Sequence, residues 1–253
     1  MTDLEFLKEV PKTEIHIHIE AVSPAETYMV LNQRHGIDGA LDTIESIRDL
    51  LQISSLDDMI KNFIFLQTFV RTEEDYSLMV EDICKYAKAN NVWYCEAHFS
   101  ISLPKQRGLD VRKILRLMEA QLEDYNEQSG IDIRLIVDVS RTFGFENAAE
   151  NLSIAAELIS ESRFGRIIAV GLGGMEKEGD IDLYQPVFSE AAAHGIRCVA
   201  HAGEVASARN ISDAIVKLGA ERIGHGVSAV FDDEIRDMLV QQQVPIEVCI
   251  SSN

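Results

Sequence analysis

The chain has little positive charge compared with its negative charge. It contains 23 Lys and Arg residues against 42 Asp and Glu residues, which gives a formal net charge of -19. Proteins that bind phosphate backbones do so through clustered cations, so this balance argues against a nucleic-acid partner. A free nucleoside carries no such charge and is not excluded by this composition.

Cysteines and long apolar runs are also scarce. The four cysteines, Cys84, Cys95, Cys198 and Cys249, are widely spaced and form no C-x-x-C pair. This spacing indicates neither a disulfide framework nor a cysteine zinc site, and we expect buried reduced thiols. No run of about 18 apolar residues occurs, and the start, MTDLEFLKEVPKTE, has acids where a signal peptide has a basic segment. We therefore expect a cytoplasmic protein without a membrane segment.

No low-complexity segment, repeat or Gly/Ser/Pro-rich linker divides the 253 residues, of which 46% are hydrophobic. Short β-branched runs alternate instead with longer segments of helical periodicity. This alternation predicts parallel strands joined by helices, and the number of strands favours a (β/α)8 TIM-type barrel over an open sheet. Seven strands are predicted, at 13–20, 92–100, 132–140, 167–174, 196–203, 222–226 and 245–252.

The predicted organisation is one domain over residues 1–253, with 22–70 as a helical insertion over one end of the barrel. A TIM-type barrel has eight strands, so we expect a C-terminal strand and helix that this sequence does not include. Strands one and seven would then each expose an edge, which favours aggregation. We therefore expect the sequence to be truncated relative to the gene product.

Histidines stand at the ends of three predicted strands. In EIHIHIEA, His16 and His18 are two apart and project from the same face of a strand. Strand five ends in His201, and strand six ends in His225. A single strand histidine is more often a hydrogen-bonded core residue, but the carboxyl ends of barrel strands gather at one mouth. Three imidazoles and a water suit catalytic zinc, so His16, His18 and His201 are the predicted ligands.

The sequence pattern leaves the roles of several other titratable residues more open. Glu204 follows His201 by three residues and is placed for a proton shuttle, although a surface or salt-bridged glutamate would look the same. His98 ends strand two, and the alternation leaves the direction of its side chain open. His35 and His194 precede glycines and are interpreted as helix C-terminal residues, where a cation is favoured.

Five segments resemble the adenosine and AMP deaminase group of metal-dependent hydrolases. They are PKTEIHIHIEA, VGLGGME, HAGE, RIGHG and CISSN, in this order from Pro11 to Asn253. The resemblance implies a zinc-bound hydroxide that attacks C6 of a purine ring and releases ammonia. His16, His18 and His201 match the zinc histidines of this family.

The resemblance also implies roles for four further residues. Glu204 matches the acid that protonates the ring nitrogen, and His225 matches the residue that orients the hydroxide and stabilises its charge. Gly174 matches a backbone position that contacts the purine, although a turn glycine would look the same. Glu20 falls where family members often carry an acid near the ribose, and the alternative is a rim carboxylate that binds nothing.

The sequence departs from the family pattern at two points. Ala21 stands where the family usually has glycine, and the motif of the type S-L-N-T-D-D-P, which supplies an aspartate to the zinc, does not occur. The predicted function is zinc-dependent hydrolytic deamination of adenosine or a related 6-aminopurine nucleoside. Adenine, N6-methyl-AMP and aminodeoxyfutalosine are alternative substrates. A barrel that binds purine or zinc without catalysis is the alternative from another functional class.

Overall fold

The computed structural model describes residues 2–36, 41, 43–52, 55–250 and 252. These residues form two compact units. The first comprises 1–99 and 103–134, and the second comprises 100–102 and 135–253, in each case where the structure describes them.

The strands are parallel, and their order in the sheet follows their order along the chain. Parallel strands that alternate with helices confirm the predicted α/β class of TIM-barrel type. The seven strands of the described residues are β1 (Lys12–His18), β2 (Val92–Ser100), β3 (Asp132–Asp138), β4 (Ile167–Leu172), β5 (Arg197–Ala202), β6 (Arg222–His225) and β7 (Ile246–Glu247).

Helices follow most of the strands. Among the described residues, none of them combines the length and the apolar character that crossing a bilayer requires. The described residues within 22–70 are largely helical as predicted, whereas the role of this segment as an insertion and the single-domain organisation of 1–253 stay predictions. The described helices are α1 (Asp3–Glu9), α2 (Ile19–Val22), α3 (Ala25–His35), α4 (Ile44–Leu50), α5 (Leu56–Leu66), α6 (Tyr76–Ala89), α7 (Ser102–Gln106), α8 (Val111–Ser129), α9 (Gly144–Glu161), α10 (Ile181–Ala193), α11 (Ala208–Leu218) and α12 (Asp233–Gln242).

The first unit is fixed around a buried carboxylate. Thr72 and Asp75 form a capping box at the 3-10 turn that leads into α6. Asp75 is fully buried and also pairs with Arg34 at 2.5 Å and with the His35 ring at 2.7 Å. The end of α3 is thereby tied to the start of α6, and the position of His35 at a helix C-terminus is confirmed.

The second unit packs its core between its strands and its helices. Ile136, Ala169 and Val199 come from β3, β4 and β5 and form one buried apolar cluster. Phe188 of α10 and Leu158 of α9 are also almost fully buried. Strands that carry apolar residues on both faces are the pattern of a parallel sheet that is covered by helices.

Two predicted strands are shorter in the structure. β1 ends at His18, and Glu20 lies in the helical turn α2, so the prediction that Glu20 ends strand one is wrong. β7 pairs with β6 only at Ile246 and Glu247, which lie opposite Ile223 and Gly224. Of the rest of the predicted strand 245–252, residue 251 lies outside the described residues.

Candidate active site

Three histidines of the first unit lie together on β1 and β2. The alternation of β1 puts His16 and His18 on one face, and the parallel register sets His18 opposite His98. The ring centroids of His16 and His98 are 4.9 Å apart, those of His18 and His98 5.1 Å, and those of His16 and His18 5.7 Å. The predicted pair is therefore confirmed as neighbours, and buried His98 joins it.

His98 is a residue that sequence reasoning did not assign. The strand around it, VWYCEAHFS, is buried on both faces from Cys95 to Phe99, so hydrophobic alternation gives no direction for its side chain. The register of β2 against β1 decides that direction. Only a prediction of strand pairing could have found it.

Glu20 lies in the helical turn α2, which directly follows His18. Glu20 is 2% exposed, and its backbone carbonyl accepts a hydrogen bond from the Tyr28 hydroxyl at 2.8 Å. Burial, with Glu20 as the next cause, raises the pKa of Tyr28. Ala21, the departure from the family pattern, is exposed in the same turn. Glu20 is therefore not an exposed rim carboxylate.

His201 and His225 lie side by side in the second unit. β5 and β6 are paired so that Ala202 is opposite His225, and the two imidazole centroids are 5.2 Å apart. Both histidines are buried. His225 has φ +68°, a left-handed conformation that residues other than glycine rarely adopt. Such conformations persist where surrounding structure holds them, and they concentrate at functional sites.

Glu204 follows β5 in the turn 203–206. Its side chain is 16% exposed, and one carboxylate oxygen lies 3.6 Å from His225 Nε2. Burial raises the pKa of Glu204 to about 7, the negative charge of Glu176 adds to this, and Arg141 opposes it. A carboxyl group with this pKa can hold or release a proton near neutral pH, as general acid–base catalysis requires.

Glu176 holds the turn that carries Glu204, and the sequence analysis assigned it no role beyond its place in VGLGGME. Its Oε1 accepts the N–H of Gly203 at 2.7 Å, and its Oε2 accepts the N–H groups of residues 204–206 at 2.9 to 3.1 Å. Asn210 donates to Oε1 through its side-chain amide at 3.1 Å. Glu176 is 5% exposed, so these are charge-assisted hydrogen bonds to a buried carboxylate.

Arg141, three residues after the end of β3, is a third residue to which the sequence analysis assigned no role. Its side chain is buried, and its Nη2 donates to the backbone carbonyl of His201 at 2.9 Å. Its Nε lies 3.3 Å from a carboxylate oxygen of Asp180. Burial lowers the pKa of Arg141, and Asp180 opposes this shift. The signal available in the sequence was a cation directly after the predicted apolar strand 132–140.

Gly174 has a structural reason to be glycine. It has φ +89°, and a Cβ there would lie 2.5 Å from Thr142 Oγ1 and 2.7 Å from Ser140 Oγ. The loop after β4 therefore packs its backbone against the loop after β3. This packing is the turn role that the sequence left open, and purine contact by Gly174 stays a prediction.

His16 and His18 of the first unit are donors of the type that a divalent metal ion needs. Imidazole nitrogens are ligands that zinc prefers, and His16, His18 and His98 gather three rings with centroids within 5.7 Å of one another. Ligating histidines are ordinarily oriented by a further partner on the second ring nitrogen. His16 and His18 therefore offer ligand nitrogens, and His98 is a third imidazole beside them.

Comparison with known proteins decides the family. The model of the adenosine deaminase family matches residues 11–253. The chain belongs to the adenosine deaminase family. Membership confirms the predicted metal-dependent aminohydrolase, and it agrees with the five segments that carried the resemblance.

The relatives of this adenosine deaminase family member are named for different purine substrates. An adenine deaminase of Vibrio parahaemolyticus is 32% identical over 248 residues, which are 98% of this chain and 72% of that protein. An aminodeoxyfutalosine deaminase of Streptomyces avermitilis is 28% identical over 248 residues, which are 98% of this chain and 69% of that protein. The crystal structure of an adenine deaminase from Arthrobacter aurescens superposes with a TM-score of 0.85 at 27% identity, covering 93% of this chain and 71% of that one.

Proposed function

We propose that this aminohydrolase deaminates adenine: water adds at C6, the amino group leaves as ammonia, and the 6-oxo purine is the product. The observation that carries this proposal is Glu204, a mostly buried carboxyl group with a pKa near 7 beside His225. The 32% identity to an adenine deaminase supports adenine rather than adenosine as the substrate. Adenosine, the substrate that the sequence resemblance favoured, is the competing candidate.

Glu204 is proposed to deliver the proton that the ring needs. In its protonated form it donates to a ring nitrogen of the purine, which leaves C6 more electrophilic. His225, 3.6 Å from this carboxylate, is proposed to orient the attacking water and to stabilise its developing negative charge. The proton that the water loses then returns through Glu204 to the leaving amino group, so that acid and base roles alternate on one carboxylate.

His16, His18 and His201 are proposed to hold a zinc ion, in agreement with the family resemblance. A bound zinc ion lowers the pKa of water and so supplies a nucleophile at neutral pH. Arg141 fixes the backbone of His201 through its carbonyl. His98 packs beside both rings, with its centroid 4.9 Å from that of His16 and 5.1 Å from that of His18.

Glu20 and Gly174 are proposed as substrate-binding residues on the strength of the resemblance. Gly174 would offer backbone to the purine, and its left-handed conformation leaves that backbone uncovered by a side chain. Glu20 is buried, and its carboxylate would accept a hydrogen bond from the substrate. The aminodeoxyfutalosine deaminase relative makes that compound a second candidate substrate.

The test is a substrate panel on zinc-loaded protein. Ammonia release is measured with adenine, adenosine, N6-methyl-AMP and aminodeoxyfutalosine, and the purine product is identified by chromatography. Higher kcat/KM for adenine than for the other three supports the proposal, and the Glu204→Gln variant is expected to keep zinc while losing turnover. Purine binding without ammonia release from any of the four would favour a binding protein that has no catalytic activity.

A further inference from the structure

A single carboxylate organises the backbone of the turn 203–206. Four consecutive N–H groups point at Glu176, and the side chain of Asn210 completes its hydrogen bonding. Burial by itself would raise the pKa of Glu176, but these hydrogen bonds outweigh it and lower that pKa. Glu176 is therefore ionised at neutral pH, and successive N–H groups of this kind form a favourable anion site.

The other side of the turn is packed as tightly. Gly203 has φ +68°, and a Cβ there would lie 2.5 Å from Ser228 Oγ and 2.6 Å from Ile211 Cδ1. The N–H of Ser228 donates to the Gly203 carbonyl at 2.9 Å. The turn is therefore held by packing on one side and by the Glu176 carboxylate on the other.

We propose that Glu176 is a positioning residue for deamination, which fixes the turn 203–206 so that the Glu204 carboxylate stays beside His225. This proposal rests on the proposed role of Glu204. The backbone N–H of Glu204 itself donates to Glu176 Oε2 at 2.9 Å, so loss of that acceptor frees the residue that carries the acid. A displacement of the order of 1 Å in a reacting group can cost about 100-fold in rate.

The neighbouring Glu178 provides a matched control. It belongs to the same loop after β4, but it is exposed and hydrogen-bonds to the N–H and hydroxyl of Ser207, at the N-terminus of α11. Glu178→Gln removes the same charge at nearly the same place without touching the 203–206 backbone. Glu176→Gln instead turns an amide N–H towards N–H groups that have lost their acceptor.

The experiment compares wild type, Glu176→Gln and Glu178→Gln as full chains loaded with zinc. Zinc content and melting temperature are measured first. Hydrogen–deuterium exchange is then followed by mass spectrometry on peptides that span residues 203–206, and kcat and KM are measured separately. For Glu176→Gln we expect amide exchange in this turn at least about tenfold faster, because buried hydrogen bonds to a charged acceptor are lost.

The expected kinetic result is a loss of about 100-fold in kcat with KM within about threefold of wild type, and Glu178→Gln unchanged in both. If Glu176→Gln does not fold, Glu176→Asp keeps the charge on a shorter side chain and is expected to show the same pattern to a smaller degree. A folded Glu176→Gln protein with wild-type exchange at 203–206, or with wild-type kcat, would overturn the proposal. Absence of turnover in wild type would refute the proposed function alone, since exchange still reports whether Glu176 holds the turn.

Discussion

Replacing Glu204 with Gln should stabilise the folded chain while it abolishes deamination. In the folded state burial raises the pKa of Glu204 from its ordinary 4.5 to about 7, so its charged form is disfavoured there. The folded state therefore binds more protons than the unfolded state between these two values, and stability falls as the pH rises through this window. Gln has nearly the same shape and no charge to bury.

The magnitude follows from the size of the shift. A rise of the Glu204 pKa from 4.5 to about 7 corresponds to roughly 3 kcal/mol of unfolding free energy above the upper pKa. Since the side chain is 16% exposed, solvent screening makes this an upper value. For a chain of this size the gain amounts to roughly 6–12 °C in melting temperature.

The assay is thermal unfolding followed by circular dichroism on chelator-treated protein, so that a bound metal ion adds nothing. The difference in melting temperature between Glu204→Gln and wild type is measured at about pH 5 and about pH 8, and we expect it to be small at the lower pH and large at the higher. Glu178→Gln is the control, and its change in melting temperature is expected to have the opposite sign. The hydrogen bonds that Glu178 accepts from Ser207 lower its pKa, so its charged form stabilises the folded state. A Glu204→Gln protein that is no more stable than wild type at the higher pH would refute the reasoning.

Three further predictions concern metal binding and packing. His201→Ala should leave less than one zinc per chain by elemental analysis, with the melting temperature no longer rising when zinc is added; full zinc occupancy would contradict its assignment as a ligand. Gly174→Ala should cost about 2 kcal/mol or more in urea unfolding, because its Cβ would meet Thr142 Oγ1 at 2.5 Å, whereas Gly165→Ala, with nothing within 4 Å, should cost clearly less; equal losses would contradict this. Asp75→Ala should cost about 3 kcal/mol, because it removes a buried carboxylate that is hydrogen-bonded to Arg34, His35 and two backbone N–H groups, and an unchanged urea midpoint would contradict that.

Much of the fold follows from local pattern. The strands at 92–100 and 222–225 have the predicted positions within a residue, because apolar, β-branched runs bounded by turn residues specify them directly. β7 is shorter than the apolar run PIEVCISS because ladder formation depends on a partner strand, and its partner β6 has only four residues. Residues 3–9 form a helix that the sequence analysis did not predict, although Thr2 and Glu5 form a capping box there.

The candidate site divides in the same way between what is local and what is not. His16 and His18 could be identified because a two-residue period fixes their common face. His98, Glu176 and Arg141 could not, since each acquires its meaning from a contact between segments: strand register for His98, a loop across to 203–206 for Glu176, and the His201 carbonyl for Arg141. The raised pKa of Glu204 likewise depends on burial, which no spacing in HAGE encodes.

The register between β1 and β2 limits how this chain can change length during evolution. His18 is opposite His98, and the residues on either side of His98 are Ala97 and Phe99. Because side chains alternate between the two faces of a strand, an insertion or deletion of one residue before β2 would replace the imidazole at that place with a methyl group or a phenyl ring. Length changes in the segment that leads into β2 should therefore be tolerated in related chains only where the α6 end or the turn at residues 90–91 absorbs them. The histidine cluster therefore depends on the length of the segment that precedes β2.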